Sequence, residues 1–364
     1  MKKCLSVLLM LINVLLLCSC SNKTNNTNLT ETQITTYESS TTDSDSNSFI
    51  DSLSDDSDML MSGGLNYSYS ETTPLEYNGD DIVMNIKLNI SNSMATDMGV
   101  YLNVQGLFLP FSLCEYSDDS FTKSISDESE ANIFHQLNFD KEHCNNNTDR
   151  FFAVRFNPDM FPKGTVIYPD VVCSVNNTYL PEEKGDVNIS ASSIFGIYPP
   201  ALNINCEAKE QYEICGECKI TPMTEEDADE NDNENIKAEI LETGDDSFQY
   251  FLSADKGDSV KLTARIHNVY DEFINYDAQE AVITVLVNDI PYAAFDGSKY
   301  LGISVDKNNY YTYDFSLDTN ELNRTNKVQL YVCQLKGSEE NPYNTIAVSS
   351  PLYVQVNCLW QFLN

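Results

Sequence analysis

"NGDDIVMNIKLNI", residues 78–90, and "KGDSVKLTARI", residues 256–266, decide how this chain folds. In the first, Ile82, Met84, Ile86 and Leu88 alternate with residues that include polar Asn85 and Lys87. In the second, Val260, Leu262, Ala264 and Ile266 alternate with Lys261, Thr263 and Arg265. Apolar side chains at every second position share one face of an extended chain, so each stretch reads as a half-buried antiparallel strand. A Gly-Asp pair stands at the same distance before both, as Gly79-Asp80 and Gly257-Asp258.

The match continues outward. "VYLNVQGLFLPF" from Val100 pairs with "VITVLVNDIPY" from Val282, with turn signals at Gln105-Gly106 and Asn288-Asp289. "DRFFAVRFNPDMF" from Asp149 pairs with "NYYTYDFSLDTNEL" from Asn309, laying Phe156 on Phe315. "DVVCSV" from Asp170 pairs with "LYVCQL" from Leu330, laying Cys173 on Cys333, and the copies close on Cys206 and Cys358. Landmarks in the same order with small gaps imply an internal duplication. Short strands, frequent turn signals and scarce helical periodicity favour an all-β fold, two tandem β-sandwiches of immunoglobulin-like type. The likeness is architectural, because the only tryptophan, Trp360, lies after the last strand.

The N-terminus carries a second signal. Lys2 and Lys3 precede an apolar run from Leu5 to Leu17, too short to span a bilayer but of signal-peptide length. The run ends in Leu17-Cys18-Ser19-Cys20, which resembles the lipobox of bacterial lipoproteins. The resemblance implies cleavage after residue 19, diacylation of Cys20 and a stable anchor, since two acyl chains hold where one is marginal. The rival is an ordinary secretory signal that releases a soluble glycoprotein. Asn-x-Ser/Thr triplets, among them those starting at Asn28, Asn66, Asn146, Asn176, Asn188 and Asn323, fit that rival, but asparagine is abundant throughout and the triplets read as compositional.

The organisation expected is a signal peptide at 1–19, a disordered Ser/Thr/Asn/Asp-rich stalk at 20–73, a first sandwich at 74–206, an acidic linker at 207–246, a second sandwich at 247–358 and a tail at 359–364. The stalk has too few large apolar residues to offset its ordering entropy. The linker holds "CGEC" and "TEEDADENDNEN".

Of 364 residues, 21 are Lys or Arg and 56 Asp or Glu; loss of Lys2 and Lys3 with the leader leaves 19 against 56, a net charge of −37. That excludes a nucleic-acid partner and docking on anionic head groups through the protein surface, and suits a self-repelling surface protein.

Eleven cysteines point to an oxidising compartment. With Cys4 and Cys18 lost and Cys20 acylated, eight remain. Matched positions suggest the disulfides Cys173–Cys206 and Cys333–Cys358; Cys114–Cys144 would pin an insertion of the first copy, and Cys215–Cys218 would close on itself. One difficulty stands: strict alternation with inward Val328, Leu330 and Val332 points Cys333 outward. For Cys215 and Cys218, a redox pair would need a helix in a βαβ context, and zinc two further ligands, whereas His135, His143 and His267 are distant in sequence.

Asp227-x-Asp229-x-Asn231 has calcium-loop spacing, but Asp232 replaces the glycine and Ala238 the final glutamate, so it reads as solvated linker. On the strand holding Tyr310, Tyr311, Tyr313 and Phe315, the last three share one face and read as core, with Tyr310 outward. No G-x-S-x-G, H-E-x-x-H or phosphate loop occurs, and abundant carboxylates make any acid pair uninformative. The expectation is a cofactor-free protein on the extracytoplasmic face of the cell membrane, lipid-anchored, acting as a binding or adhesion module for a protein or glycan partner, or as a spacer. The alternative is a hydrolase with a loop-built site.

Overall fold

The computed structural model describes residues 65–69, 75–90, 97–138, 149–188, 193–197, 201–208, 215–224, 236–268, 279–306, 309–335 and 345–357. The leader, the C-terminal tail, Cys20, Cys144, Cys358, Asp227, Asp229 and Asn231 lie outside the described residues. The first copy comprises β1 (Leu65–Tyr69), β2 (Leu75–Tyr77), β3 (Ile82–Ile90), β4 (Asp97–Val104), β5 (Leu107–Phe108), β6 (Phe111–Tyr116), β7 (Phe134–Asn138), β8 (Asp149–Phe156), β9 (Val166–Ile167), β10 (Pro169–Val175), β11 (Ser193–Ile197) and β12 (Leu202–Ile204). The second comprises β13 (Lys219–Pro222), β14 (Ile236–Glu242), β15 (Phe251–Asp255), β16 (Ser259–Asn268), β17 (Gln279–Val287), β18 (Ile290–Tyr292), β19 (Leu301–Val305), β20 (Asn309–Asp318), β21 (Thr325–Gln334), β22 (Thr345–Val348) and β23 (Leu352–Asn357). No α-helix occurs among the described residues.

The all-β tandem sandwich expected from the sequence is the fold observed. In the first copy one sheet runs β1-β3-β8-β6, a second β11-β10-β4-β5 with β7 also on β4, and a short third β2-β12-β9. In the second the sheets run β14-β16-β20-β13 and β15-β23-β21-β17-β18, with β19 also on β17 and β22 on β21. In both copies the entering strand switches sheets: β1 and β14 pair antiparallel with β3 and β16, whereas β2 and β15 pair parallel with the closing strands β12 and β23. The duplicated alternation makes both inner faces, because Met84, Ile86, Leu88, Leu262, Ala264 and Ile266 are all buried. Both two-residue turns form as read, with positive φ at Gln105 (53°), Gly106 (84°), Asn288 (49°) and Asp289 (70°), as right-twisted hairpins require.

Three details differ from the sequence reading. First, β1 falls inside the segment 20–73 read as disordered stalk, and β13 and β14 fall inside the acidic linker 207–246. Their compositions match the loops around them, but β3, β16 and β20 offer edges whose backbone groups need partners, and pairing overrides propensity. Second, Ile82 pairs with Phe156 while Val260 pairs with Leu317, so the counterpart of Phe156 is Leu317, two residues beyond Phe315 on the same face.

Third, Cys173 and Cys333 are not equivalent. With the turns superposed, Val104 matches Val287 and Leu102 matches Val285; Val171 then matches Leu330 and Cys173 matches Val332. The sequence match was one residue out, and a one-residue slip moves a side chain to the other face of the sheet. Cys173 therefore faces the interior of its own sandwich. Cys333 points out of its own sandwich, as alternation required, and is nonetheless completely buried.

The reason is that the two sandwiches pack sheet on sheet. Val282, Leu286, Tyr300, Tyr331 and Cys333 of the second copy belong to the same apolar cluster as the core of the first. Every residue of β4 and β10 is buried, as only a strand covered on both faces can be. Phe108 meets Tyr331 edge-to-face at 4.8 Å between ring centroids. The Tyr300 hydroxyl bonds the backbone of Phe108, and Gln355 Nε2 donates to Glu182 O at 2.9 Å. Gly106 sits so close that a Cβ there would lie 2.2 Å from Val282 Cβ.

Candidate functional site

Polar side chains gather where the sandwiches meet. The tight turn after β17 puts Asp289 in the left-handed region, which aspartate tolerates. The turn is tied to β21: Asn288 N donates to Lys327 O at 2.8 Å, Lys327 N donates to Asn288 Oδ1 at 3.0 Å, and Asn288 Nδ2 donates to Asn326 Oδ1 at 2.8 Å. Asp289 Oδ1 lies 2.7 Å from Lys327 Nζ and accepts from the Tyr101 hydroxyl at 2.7 Å. Burial, and next the charge of Asp289, push the Tyr101 phenol well above its ordinary range, so it stays a donor.

The first copy supplies the other half. The turn after β10 is held by Asp97, whose carboxylate accepts from Thr178 N at 3.2 Å and Thr178 Oγ1 at 2.5 Å. It presents Asn177, whose backbone oxygen accepts from Lys327 Nζ at 2.9 Å. Asn177 Nδ2 donates to Asp289 Oδ2 at 3.4 Å, and Gln136 Nε2 donates to Asn177 Oδ1 at 3.4 Å. Gly99 leaves room for this residue, since a Cβ there would lie 2.5 Å from Phe134 and 3.0 Å from Asn177 Cγ. Lys327 and Asn177 are both only 3% exposed. A buried ion pair is weak evidence of net stability, but it fixes register between the surfaces it joins.

Lys327, Tyr101 and Gln136 are not singled out in the sequence reading, where Asp289 enters only as half of a turn signal and Asn177 only as the middle of the compositional triplet Asn176-Asn177-Thr178. A signal was present. "VITVLV" and "VVCSV" are apolar on both faces, the mark of strands covered on both sides rather than one.

The cysteines lie elsewhere. Cys114, Cys173, Cys206, Cys215, Cys218 and Cys333 are free thiols in the structure. The Cys173–Cys206 and Cys215–Cys218 bridges are thus not made, and the partners expected for Cys114 and Cys333 lie outside the described residues. The thiols of Cys173 and Cys333 are pushed well up by burial, the latter also by the Asp170 carboxylate. Cys215 is built into the second sandwich: its N donates to Tyr300 O at 3.0 Å and its O accepts from Gly302 N at 2.7 Å. Cys218 lines a groove of 390 Å³ with Glu217, Lys219, Thr312, Tyr313 and Asp314. Burial and then Cys215 raise its thiol, the opposite of the depressed value that makes a redox cysteine reactive. Tyr313 is pushed up to about 12, first by burial and then by Asp296.

The aromatic strand is core where it was read as core: Tyr311 and Phe315 are buried, and Tyr313 is half-buried against Phe295, with ring centroids 5.1 Å apart. Tyr310 takes the other face, 5.4 Å from the Arg265 guanidinium and 5.3 Å from the His267 ring. Arg265 also pairs with Glu239 at 2.7 Å. Among the described residues no group of three or more His, Cys, Asp or Glu is placed to hold a metal ion.

No protein-family description and no curated protein matches the chain. Among solved structures it is similar to the fibronectin(III)-like modules of Clostridium thermocellum CbhA, at 9% identity over 82% of this chain and 98% of that one, TM-score 0.18. The pilus backbone RrgB of Streptococcus pneumoniae matches at 10% identity over 81% of this chain and 59% of that one, TM-score 0.22. The major pilin subunit BcpA of Bacillus cereus matches at 9% identity over 81% and 68%, TM-score 0.24. At such identities and TM-scores these likenesses carry no argument about function.

Proposed function

We propose that the chain is a lipid-anchored surface protein in which two sandwiches, fused into one rigid block, bind an extracellular protein or glycan or hold a partner at a set distance from the membrane. The observation that supports it is the shared core. An outward sheet face of each copy is buried against the other, so the pair moves as one body. A rigid block on a long polar tether suits presentation. The lipobox-like Leu17-Cys18-Ser19-Cys20 supports the anchor, and the net charge of −37 left once Lys2 and Lys3 are lost with the leader keeps neighbouring copies apart.

The test is expression in a bacterial host fed a labelled fatty acid, followed by fractionation. Label in the wild-type protein, membrane retention, and loss of both in Cys20→Ala are the expected results. An unlabelled protein free in the medium overturns the anchor and leaves a secreted one.

A further inference from the structure

We propose that Lys327 and Asn177 condense into a side-chain amide that joins the two sandwiches covalently. The reading rests on how five residues are placed. Nucleophile and electrophile come from different copies, yet Lys327 Nζ already donates at 2.9 Å to the backbone oxygen of the residue whose side chain it attacks. Asn177 sits on a turn pinned by Asp97, and Lys327 on a strand whose backbone N–H is held by Asn288 Oδ1. One carboxylate spans the reacting groups, with Asp289 Oδ1 on the amine at 2.7 Å and Oδ2 on the carboxamide nitrogen at 3.4 Å. Gln136 Nε2 donates to the carboxamide oxygen at 3.4 Å, where negative charge develops during attack. The Tyr101 hydroxyl donates to the same Oδ1 that faces the amine and steadies the carboxylate.

Such an arrangement makes an otherwise slow aminolysis effectively unimolecular. The burial of Lys327 and Asn177 also keeps out the water that would hydrolyse the amide instead. A lysine that only closed an ion pair would need neither a carboxamide on the same carboxylate nor a donor on that carboxamide's oxygen.

The step balances without a co-reactant. The Lys327 ammonium passes one proton to Asp289. The freed Nζ lone pair bonds to Asn177 Cγ, and the carbonyl electron pair moves to Oδ1. Asp289 returns the proton to Nδ2, the carbonyl re-forms, and ammonia leaves with the C–N bonding pair. Nζ then releases its second proton through the same carboxylate to the ammonia. A lysine ammonium and a carboxamide become a secondary amide and an ammonium ion, with nothing oxidised or reduced.

The experiment is intact-mass measurement of the purified full chain, followed by proteolysis and fragment mapping. The expected result is a mass below that of the sequence by one ammonia, and a branched peptide joining the segments that hold Asn177 and Lys327. Lys327→Met and Asp289→Asn should each give their own unmodified sequence mass, with folding checked by circular dichroism. Gln136→Leu, away from the ion pair, should still fold and cross-link about 100-fold more slowly. A folded wild-type protein of unmodified mass after prolonged incubation overturns the proposal. So does an ammonia loss that persists in Lys327→Met, which would place the loss at an asparagine elsewhere.

Discussion

Tyr331→Ala tests whether the two sandwiches share a face. Tyr331 projects outward from β21, so in an isolated second sandwich it would lie in water. In the structure it is 1% exposed and meets Phe108 of the first copy edge-to-face at 4.8 Å. A buried aromatic of this size removes roughly 150–250 Å² from solvent, and the ring pair adds about 0.5–1.5 kcal/mol. Core truncations of this kind cost about 3–5 kcal/mol once the remaining cavity is included. An exposed surface substitution costs within about 0.5 kcal/mol. The expectations differ several-fold, which urea unfolding resolves. Wild type should unfold in one transition followed alike by near-ultraviolet circular dichroism and by tyrosine fluorescence. Tyr331→Ala should lower the midpoint by the larger amount and separate the two copies into distinct steps. A loss below about 0.5 kcal/mol with an unchanged single transition would refute the shared face.

Other expectations follow from the same geometry. Gly106→Ala should cost about 1–2 kcal/mol from its φ of 84° alone, and more because the new Cβ would strike Val282; a Tm equal to wild type would contradict the close approach. His135 is held below its ordinary 6.5, chiefly by burial, against the opposing hydrogen bond to Phe111 O. The unfolded chain therefore takes up a proton before the folded one does, so stability should fall as pH drops through about 6.5 toward the lower folded value. His135→Gln should flatten that part of the profile, and an unaltered slope would dismiss the residue. The raised thiols predict slow alkylation of Cys218 at neutral pH and none of Cys173 or Cys333 until unfolding, read by time-resolved mass spectrometry. Labelling of Cys218 faster than a free cysteine would argue for an activated pair after all.

Much of the fold was legible because alternation is a direct image of burial. Ile82 to Leu88 and Val260 to Ile266 named the inner faces, and Gln105-Gly106 and Asn288-Asp289 named the turns. What escaped depends on the third dimension. The strand at Leu65–Tyr69 exists because β3 has an edge to complete, and no residue within it announces that edge. Cys173 and Cys333 looked equivalent because the letters around them align, yet they point to opposite faces, and only the ladder to β4 and β17 fixes which. The polar cluster was harder still. Lys327 at the head of an apolar strand reads as a solvated charge, and its partners lie 38 residues away in the chain at Asp289 and 150 away at Asn177.

The parallel pairing of β2 with β12 and of β15 with β23 bears on how the molecule carries tension. In each copy an entering strand lies alongside the closing strand and runs the same way. When the two ends of a copy are drawn apart, such strands slide past one another instead of peeling, and all their backbone hydrogen bonds are strained together. In the second copy the clamp runs for five residue pairs, from Phe251 with Tyr353 to Asp255 with Asn357; in the first it runs for three, from Leu75 with Leu202 to Tyr77 with Ile204. Under a steady pull the first sandwich should therefore yield before the second.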